Sequence, residues 1–411
     1  MRCITFIGKD PGPETRFCRD EHCISTDLVQ EAVWHLWSPE EMILCISDPK
    51  HAYVASVIES RNIVTRNLWI PTGTRENELW EIFSLLTGIV EDDEEILFEI
   101  TAGCHALPFL VFPIAAFLKE IKGVRLAGIV YASPEDEYGL CHMVDLKPMI
   151  GVANWISGVK ALTQYTDAEP IRQIMTGLQD DIQRSRCFPD PPTHLTGWSH
   201  LLETFTQAVR LSRPNDALYA GWGITQKFPA IREELSRFAP ALLPVIRKIE
   251  SIGEIGSSPL ESGLTHEYLM KQYDLIVFQI DKGLDLQAVS LAREWIVSAV
   301  ILFFGQGENW LDGELRHQIS QTLTGGALIL QKEAYEKTQY SELLYSGEDW
   351  PALVRVWMRI SDLRNDLAHC GMNERDESLR SIHRRTVTIP EDLLIVVEYT
   401  KNGNPAGERS E

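Results

Sequence analysis

The chain has 411 residues and carries 59 acidic against 38 basic side chains, a formal net charge of −21, while hydrophobic residues make up 44% of it. This length predicts two or three domains, each able to bury its own core. The acidic excess is spread evenly, with 13 basic and 24 acidic residues in 1–165 and 25 and 35 in 166–411. A protein that binds duplex nucleic acid over most of its surface needs many exposed Lys and Arg side chains to contact the phosphates. The net charge therefore excludes a protein of that class, but it does not exclude a local basic site.

Targeting segments, membrane spans and metal clusters are not indicated. The N-terminal segment MRCITFIGKDPG lacks an apolar core of signal-peptide length. The longest apolar run, Leu107–Leu118, is interrupted by two prolines and is shorter than the roughly 20 residues of a bilayer span, so it predicts a buried helix. The eight cysteines contain no CxxC pair, and the spacing of Cys18, His22 and Cys23 does not match a zinc site. We therefore expect a cytoplasmic protein with reduced core thiols, no metal and no membrane association.

In the first part of the chain, apolar strands alternate with helical patterns. Strands are predicted at Arg2–Ile7, Glu41–Ile46, Asn62–Ile70, Ile96–Ile100, Val124–Tyr131 and Leu140–Leu146, and helices at Thr26–Trp37, after Pro49, after Thr74 and at Ala106–Ile121. A polar loop is expected from Gly8 to Ser25. This alternation predicts a mostly parallel, Rossmann-like α/β sheet. Ligands of such sheets bind at the carboxyl ends of strands, here Gly8–Asp10, Ser47-Asp48, Thr72–Thr74 and Thr101–Pro108.

After about residue 150 the strand pattern ends and helical periodicity continues. Helices are predicted at 151–165, 170–184, 196–211, 216–238, 241–251, 264–280, 285–304, 315–323 and 350–369. Residues 386–399 are too short to assign. The predicted fold class is therefore an α/β Rossmann-like domain (1–165), a helical linker region (166–215) and an all-α domain (216–411).

An Arg and a His lie five positions apart at the end of the helix at 350–369, in the segment Leu363-Arg-Asn-Asp-Leu-Ala-His369, which is followed by Gly371 as a natural C-cap. Arg364 suits a phosphate, and His369 can give or take a proton near neutral pH. A step of five residues rotates the side chain by about 140° beyond one full helical turn, so the two side chains of one copy point in different directions. A two-fold dimer would bring two Arg–His pairs together. The alternative is a surface Arg and a His that caps helix carbonyls.

The neighbourhood of this pair is locally positive in an acidic chain. From Arg355 to Arg385 there are seven Arg, no Lys and five acids, with His369 and His383 in addition. A solvated helical face would show the same composition, and this alternative stays open.

The Arg364–His369 segment resembles the R-x4-H signature of HEPN ribonucleases, and Ala288-Val-Ser-Leu-Ala-Arg-Glu-Trp295 resembles their earlier apolar-Arg-Glu helix. Residues 26–155 resemble a CARF domain, on segments 26–32, 70–82, 99–108, 128–132 and 144–148. Together the order and spacing resemble the CARF-HEPN ancillary ribonucleases of type III CRISPR systems. The fold class that this implies is a CARF sensor domain followed by an all-α HEPN domain.

The resemblance implies a homodimer or higher homo-oligomer that binds a cyclic oligoadenylate as allosteric activator, functionally linked to the type III effector complex that makes it. Cyclic tetra-adenylate is the expected ring, with cyclic hexa-adenylate as the alternative. Activation would switch on metal-independent cleavage of single-stranded RNA, leaving a 2′,3′-cyclic phosphate. Arg364 would hold the scissile phosphate, His369 would act on the 2′-hydroxyl or the leaving oxygen, and Asn365 and Asp366 would support them.

The ligand loop departs from the family pattern Asp-x-Thr-His-Gly-Phe-Arg-x-x-Pro. Here the segment is Glu99-Ile-Thr-Ala-Gly-Cys-His-Ala-Leu-Pro108, so Ala102 replaces the His and His105 the Arg. Without that Arg, the loop has less positive charge with which to bind a phosphate. Lys9 can supply the missing charge; the alternative is that Lys9 is a solvent-facing side chain. The expected ligand-binding residues are Gly8, Lys9, Asp10, Ser47, Thr72, Gly73, Thr101, Ala102, Gly103, Cys104 and His105.

A second function fits the same sequence. The altered ligand loop and the acidic surface also fit a non-catalytic CARF-type sensor or transcriptional regulator that binds DNA or a protein partner. Such a regulator needs a basic recognition helix, and none is clear before residue 355. Because the Arg364–His369 pair is intact, we favour the enzyme.

Overall fold

The computed structural model describes residues 1–8, 10–102, 106–186, 188–346, 348–372 and 378–402. Contacts divide the chain into two compact units, Met1–Ala153 (the α/β unit) and Asn154–Glu411 (the helical unit). The first contains a sheet covered by helices and the second is helical throughout its regular described elements, which confirms the predicted fold class. The predicted domain boundaries at residues 165 and 215 stay a prediction.

The α/β unit is built on one sheet. Its strands are β1 (Arg2–Ile7), β2 (Thr15–Arg19), β3 (His22–Thr26), β4 (Glu41–Ile46), β5 (Thr65–Trp69), β6 (Glu95–Glu99), β7 (Arg125–Ala132) and β8 (Leu140–Asp145), and its helices are α1 (Val29–Trp37), α2 (Ala52–Ser60), α3 (Glu76–Ile89) and α4 (Leu107–Lys122). The eight strands are ordered β3-β2-β8-β7-β6-β1-β4-β5. Strands β5, β4, β1, β6 and β7 run parallel, so their carboxyl ends share one edge.

Strand β1 shows why these residues form a central strand. Successive side chains of a strand point to opposite faces. Ile4 and Phe6 therefore enter one apolar cluster, and Cys3 and Ile7 enter the other. Because both faces are covered, the strand is apolar almost throughout rather than alternating with polar residues.

The predicted loop from Gly8 to Ser25 was wrong in its second half, where β2 and β3 form an antiparallel hairpin. These strands are short and keep Arg19 and His22 exposed, so they lack the apolar alternation that predicts a strand. The hairpin also corrects the expectation that all thiols are reduced. It places Cys18 opposite Cys23, and the two form a disulfide.

The helical unit is packed around one large apolar core. Helix α5 (Lys147–Tyr165) begins before residue 154, and the later helices are α6 (Glu169–Ser185), α7 (Leu195–Arg210), α8 (Pro214–Phe238), α9 (Leu243–Glu254), α10 (His266–Asp281), α11 (Asp285–Phe303), α12 (Gly313–Gln331), α13 (Ser341–Leu344), α14 (Trp350–Ala368), α15 (Leu379–Val387) and α16 (Ile389–Asn402). Within the described residues α11 is long and apolar enough to cross a membrane, but 61% of its most apolar window is buried, as in a core helix.

A close backbone contact in this unit gives a stability prediction. A Cβ at Gly256 would lie 2.0 Å from the backbone nitrogen of Trp222 in α8. Gly256→Ala is therefore expected to destabilise the helical unit by about 1–3 kcal/mol or more, because backbone cannot yield as a side chain does. Gly177→Ala in α6 meets nothing within 4 Å and should be neutral or slightly stabilising. Thermal unfolding followed by circular dichroism compares them, and equal midpoints would contradict the prediction.

Candidate functional site

A cavity of about 210 Å³ opens at the carboxyl edge of the sheet, where β1 and β6 end beside the start of α1. Its lining includes Asp10, Asp27, Gln30, Thr101 and Ala102. Three of the predicted ligand-binding residues, Asp10, Thr101 and Ala102, are thus brought together. Strands β1 and β6 are hydrogen-bonded neighbours, which is why the chain segments that follow them meet here.

Gly8 allows the loop after β1 and the loop after β6 to approach each other closely. A Cβ at this position would lie only 1.9 Å from the carbonyl oxygen of Ala102. The glycine therefore lets the chain after β1 touch the chain after β6 directly.

The other predicted ligand residues lie elsewhere. Ser47 follows β4 and Thr72 follows β5, farther along the same edge and outside the described lining of this cavity. The Thr72 hydroxyl donates a hydrogen bond to Glu78 (3.1 Å), and Gly73 has a φ of 74°. Lys9, Gly103, Cys104 and His105 lie outside the described residues.

The described lining carries acidic and neutral polar groups rather than cations. A hydrogen bond to Asp10 raises the pKa of Tyr53, and Asp27 forms an ion pair with Arg61 (2.6 Å). The amide of Gln30 is buried and donates to the hydroxyl of Thr5 (3.3 Å). This part of the cavity can accept hydrogen bonds from amino and hydroxyl groups, while a phosphate would need positive charge from outside the described lining.

Glu99 is a residue that sequence reasoning quoted but did not place among the ligand residues. It is fully buried at the end of β6 and accepts hydrogen bonds from the Thr5 hydroxyl (2.5 Å) and the Thr101 backbone N–H (2.6 Å). Thr101 in turn accepts from the N–H of Ala132 (2.8 Å). Glu99 therefore fixes the start of the loop that lines the cavity. The sequence signal that could have identified Glu99 is an acidic residue within an otherwise apolar predicted strand.

Glu99 also predicts a pH effect on stability. Burial raises its pKa above the ordinary 4.5, against the opposing effect of its hydrogen bonds. A raised folded-state pKa stabilises the fold below the unfolded pKa, and this contribution is lost as pH rises through the folded pKa. Glu99→Gln should remove this part of the pH dependence above about pH 4.5, so that the unfolding midpoint changes less as the pH rises. Glu95→Gln, an exposed change in the same strand, is the control; identical pH profiles would refute the assignment.

Helix α14 positions the Arg–His pair. Leu363 is 2% exposed and anchors the last turns to the core, which leaves Arg364 partly exposed and His369 exposed. The helix ends at Ala368, the backbone N–H of His369 donates to the carbonyl of Asn365 (3.0 Å), and the chain leaves through Cys370 and Gly371, both with positive φ. The expected C-cap at Gly371 is thus preceded by a left-handed Cys370.

The side chains of the pair have few partners among the described residues. Among the described residues no carboxylate lies within salt-bridge distance of Arg364, whose guanidinium donates to the side chain of Asn365 (3.3 Å). The His369 imidazole likewise has no hydrogen-bond partner in the described part of the chain. Asp366 has an interaction of its own. A guanidinium and an imidazole without carboxylate partners can take up an anion and transfer a proton.

Other charges of the Arg-rich window are engaged within the unit. Arg359 pairs with Asp392, and His383 lies 3.2 Å from Asp285. These two contacts therefore link α14 to α16 and α15 to α11. In the described residues no group of three His, Cys, Asp or Glu side chains is arranged to hold a metal ion.

Comparison with curated proteins finds a similarity to a CRISPR-associated protein. No protein-family model matches the chain. Over 118 residues, 28% of this chain, it is 29% identical to CRISPR-associated protein MJ1674 of Methanocaldococcus jannaschii, of which the match covers 19%. A solved structure of Enterococcus italicus Csm6 bound to cyclic hexa-2′-fluoro-hexa-dAMP aligns with 98% of this chain and 95% of that one, at 13% identity and a TM-score of 0.45. The matched 118 residues are similar to a CRISPR-associated protein, in agreement with the resemblance carried by the motifs.

Proposed function

We propose that this protein is an endoribonuclease, activated by a cyclic oligoadenylate, that cuts single-stranded RNA in type III CRISPR antiviral defence. The observation that carries the proposal is the pair Arg364 and His369 at the end of a well-anchored helix, with both functional groups free of carboxylate partners among the described residues. The R-x4-H resemblance and the similarity to a CRISPR-associated protein support the same assignment.

The chemistry needs two copies of the pair. Arg364 binds the scissile phosphate and stabilises the charge that builds up on its oxygens. One His369 takes the proton from the ribose 2′-hydroxyl, whose oxygen attacks phosphorus, and a second His369 gives a proton to the departing 5′-oxygen. The products are a 2′,3′-cyclic phosphate and a 5′-hydroxyl. Asn365 orients the guanidinium through its hydrogen bond.

The activator is expected at the carboxyl edge of the α/β sheet. Carboxylates and the Thr101 hydroxyl in the cavity suit the amino group of adenine and the hydroxyls of ribose. A ring shared by two sensor units shifts the paired helical units only if it binds one arrangement better than the other. Cyclic tetra-adenylate is the proposed ring, and cyclic hexa-adenylate is the alternative.

A fluorogenic RNA assay with three-, four- and six-membered oligoadenylate rings tests this proposal. We expect cleavage only with one ring size, and that cleavage should persist in EDTA. Mass spectrometry of the products should show 2′,3′-cyclic phosphate ends. No cleavage with every ring, together with retention of duplex DNA, would instead favour the non-catalytic sensor or transcriptional regulator.

A further inference from the structure

We propose that a second site in the helical unit binds the nucleobase next to the scissile phosphate, an inference that rests on the proposed ribonuclease function. An open cavity of about 640 Å³ lies between α11, α12 and the segment around Gln339. Its lining includes Arg293, His317, Gln321 and Thr324. The cavity is large enough for a nucleoside and is lined mainly by groups that donate and accept hydrogen bonds.

Arg293 is held in a fixed orientation at this cavity. Its guanidinium lies over the indole ring of Trp357, 4.8 Å from the ring centre, and donates to Glu294 (2.5 Å). The indole N–H of Trp357 points towards the hydroxyl of Thr324 (3.3 Å). One face of the guanidinium is thus covered by an aromatic ring. In this proposal, a base of single-stranded RNA stacks on the other face of the guanidinium.

The cavity residue Arg293 is linked to the helix that carries Arg364, because its guanidinium packs on Trp357 of α14. Trp357 and Arg364 are seven residues apart, which is close to two full turns, so both belong to one stripe of the helix. The rise between them is about 10 Å. Ser361 lies on the same stripe between them, and its buried hydroxyl has no partner in the described residues. Because Trp357 is buried, a strand held at Arg364 by its phosphate would reach the cavity beside this stripe, over about two helical turns.

The hydrogen-bonding groups favour a base over a phosphate. Gln318 is already engaged by Gln339 (2.8 Å) and Glu314 (3.0 Å). By contrast, the side chains of His317 and Gln321 have no partner among the described residues. Such groups can pair with the amino and carbonyl groups of a base edge. In the same lining, Glu314 and Glu336 balance the charges of Arg293 and Lys337, so the described lining has no excess positive charge for a second phosphate.

The test uses the full chain with its activating ring and a pool of single-stranded RNAs whose cut sites are sequenced. Gln321→Ala and His317→Ala should weaken the preference for the favoured base beside the cut by about tenfold or more. Gln331→Ala, an exposed change at the end of the same helix, should leave the preference unchanged. An unchanged cut-site pattern in both cavity variants would overturn the inference, and the ribonuclease assignment would still stand.

A binding measurement separates the two proposals if no RNA is cut. A non-cleavable 2′-O-methyl tetranucleotide titrated against the full chain should bind about tenfold more weakly to Gln321→Ala than to Gln331→Ala. This difference would support the base site even without cleavage, in which case only the proposed reaction fails. Equal affinities for the two variants would overturn the base site itself.

Discussion

Replacing Arg364 by alanine is expected to lower the rate of RNA cleavage at least about 100-fold, because the transition state loses the cation that balances its phosphate charge. Arg364→Lys should restore little of the rate, since an ammonium cannot make the two parallel hydrogen bonds of a guanidinium. The measurement is single-turnover cleavage of a labelled RNA at saturating activator.

The matched control is Arg355→Ala, which removes an exposed arginine from the same helix. Both arginines are at the surface, so circular dichroism should show intact folding in each variant. His369→Ala should lose a comparable factor through the missing proton transfer, while His266→Ala, at an exposed position at the start of α10, should retain full activity. Full cleavage by the Arg364 and His369 variants would remove the basis for the catalytic assignment.

The second large effect is expected from Gly8→Ala. The added methyl would meet the carbonyl oxygen of Ala102 at 1.9 Å, so the two loops at the carboxyl edge must move apart. Because Ala102 and Thr101 line the cavity, the activator site is distorted while Arg364 is untouched. We expect the activator concentration for half-maximal cleavage to rise by about tenfold or more, a loss on the order of 1–3 kcal/mol from overpacking.

Gly88→Ala in α3 is the control, because its new methyl would meet nothing within 4 Å. The readouts are the dependence of cleavage on activator concentration and the direct binding of the ring. An unaltered dependence for Gly8→Ala would place the activator away from this edge. Lost cleavage at every activator concentration, with binding retained, would indicate that the loops transmit the signal rather than hold the ring.

Much of the fold was predictable because the core strands and helices have strong local patterns. Strand β4 was predicted with its observed bounds, and α14 within a residue of them. The hairpin of β2 and β3 was missed because its exposed edge residues carry little apolar pattern. Helices α15 and α16 were missed because the stretch considered, 386–399, straddles the break between them at Thr388.

The sequence by itself determined the order of an α/β unit and a helical unit, the buried strands, and the helix end that carries Arg364 and His369. These follow from hydrophobic period and helix-end signals, which act over a few neighbouring residues. Only the tertiary structure decided that Gly8 touches Ala102, that Glu99 holds Thr5 and Thr101, and that Arg293 lies over Trp357. Contacts between segments far apart in the chain depend on strand order and helix packing, which no local pattern specifies.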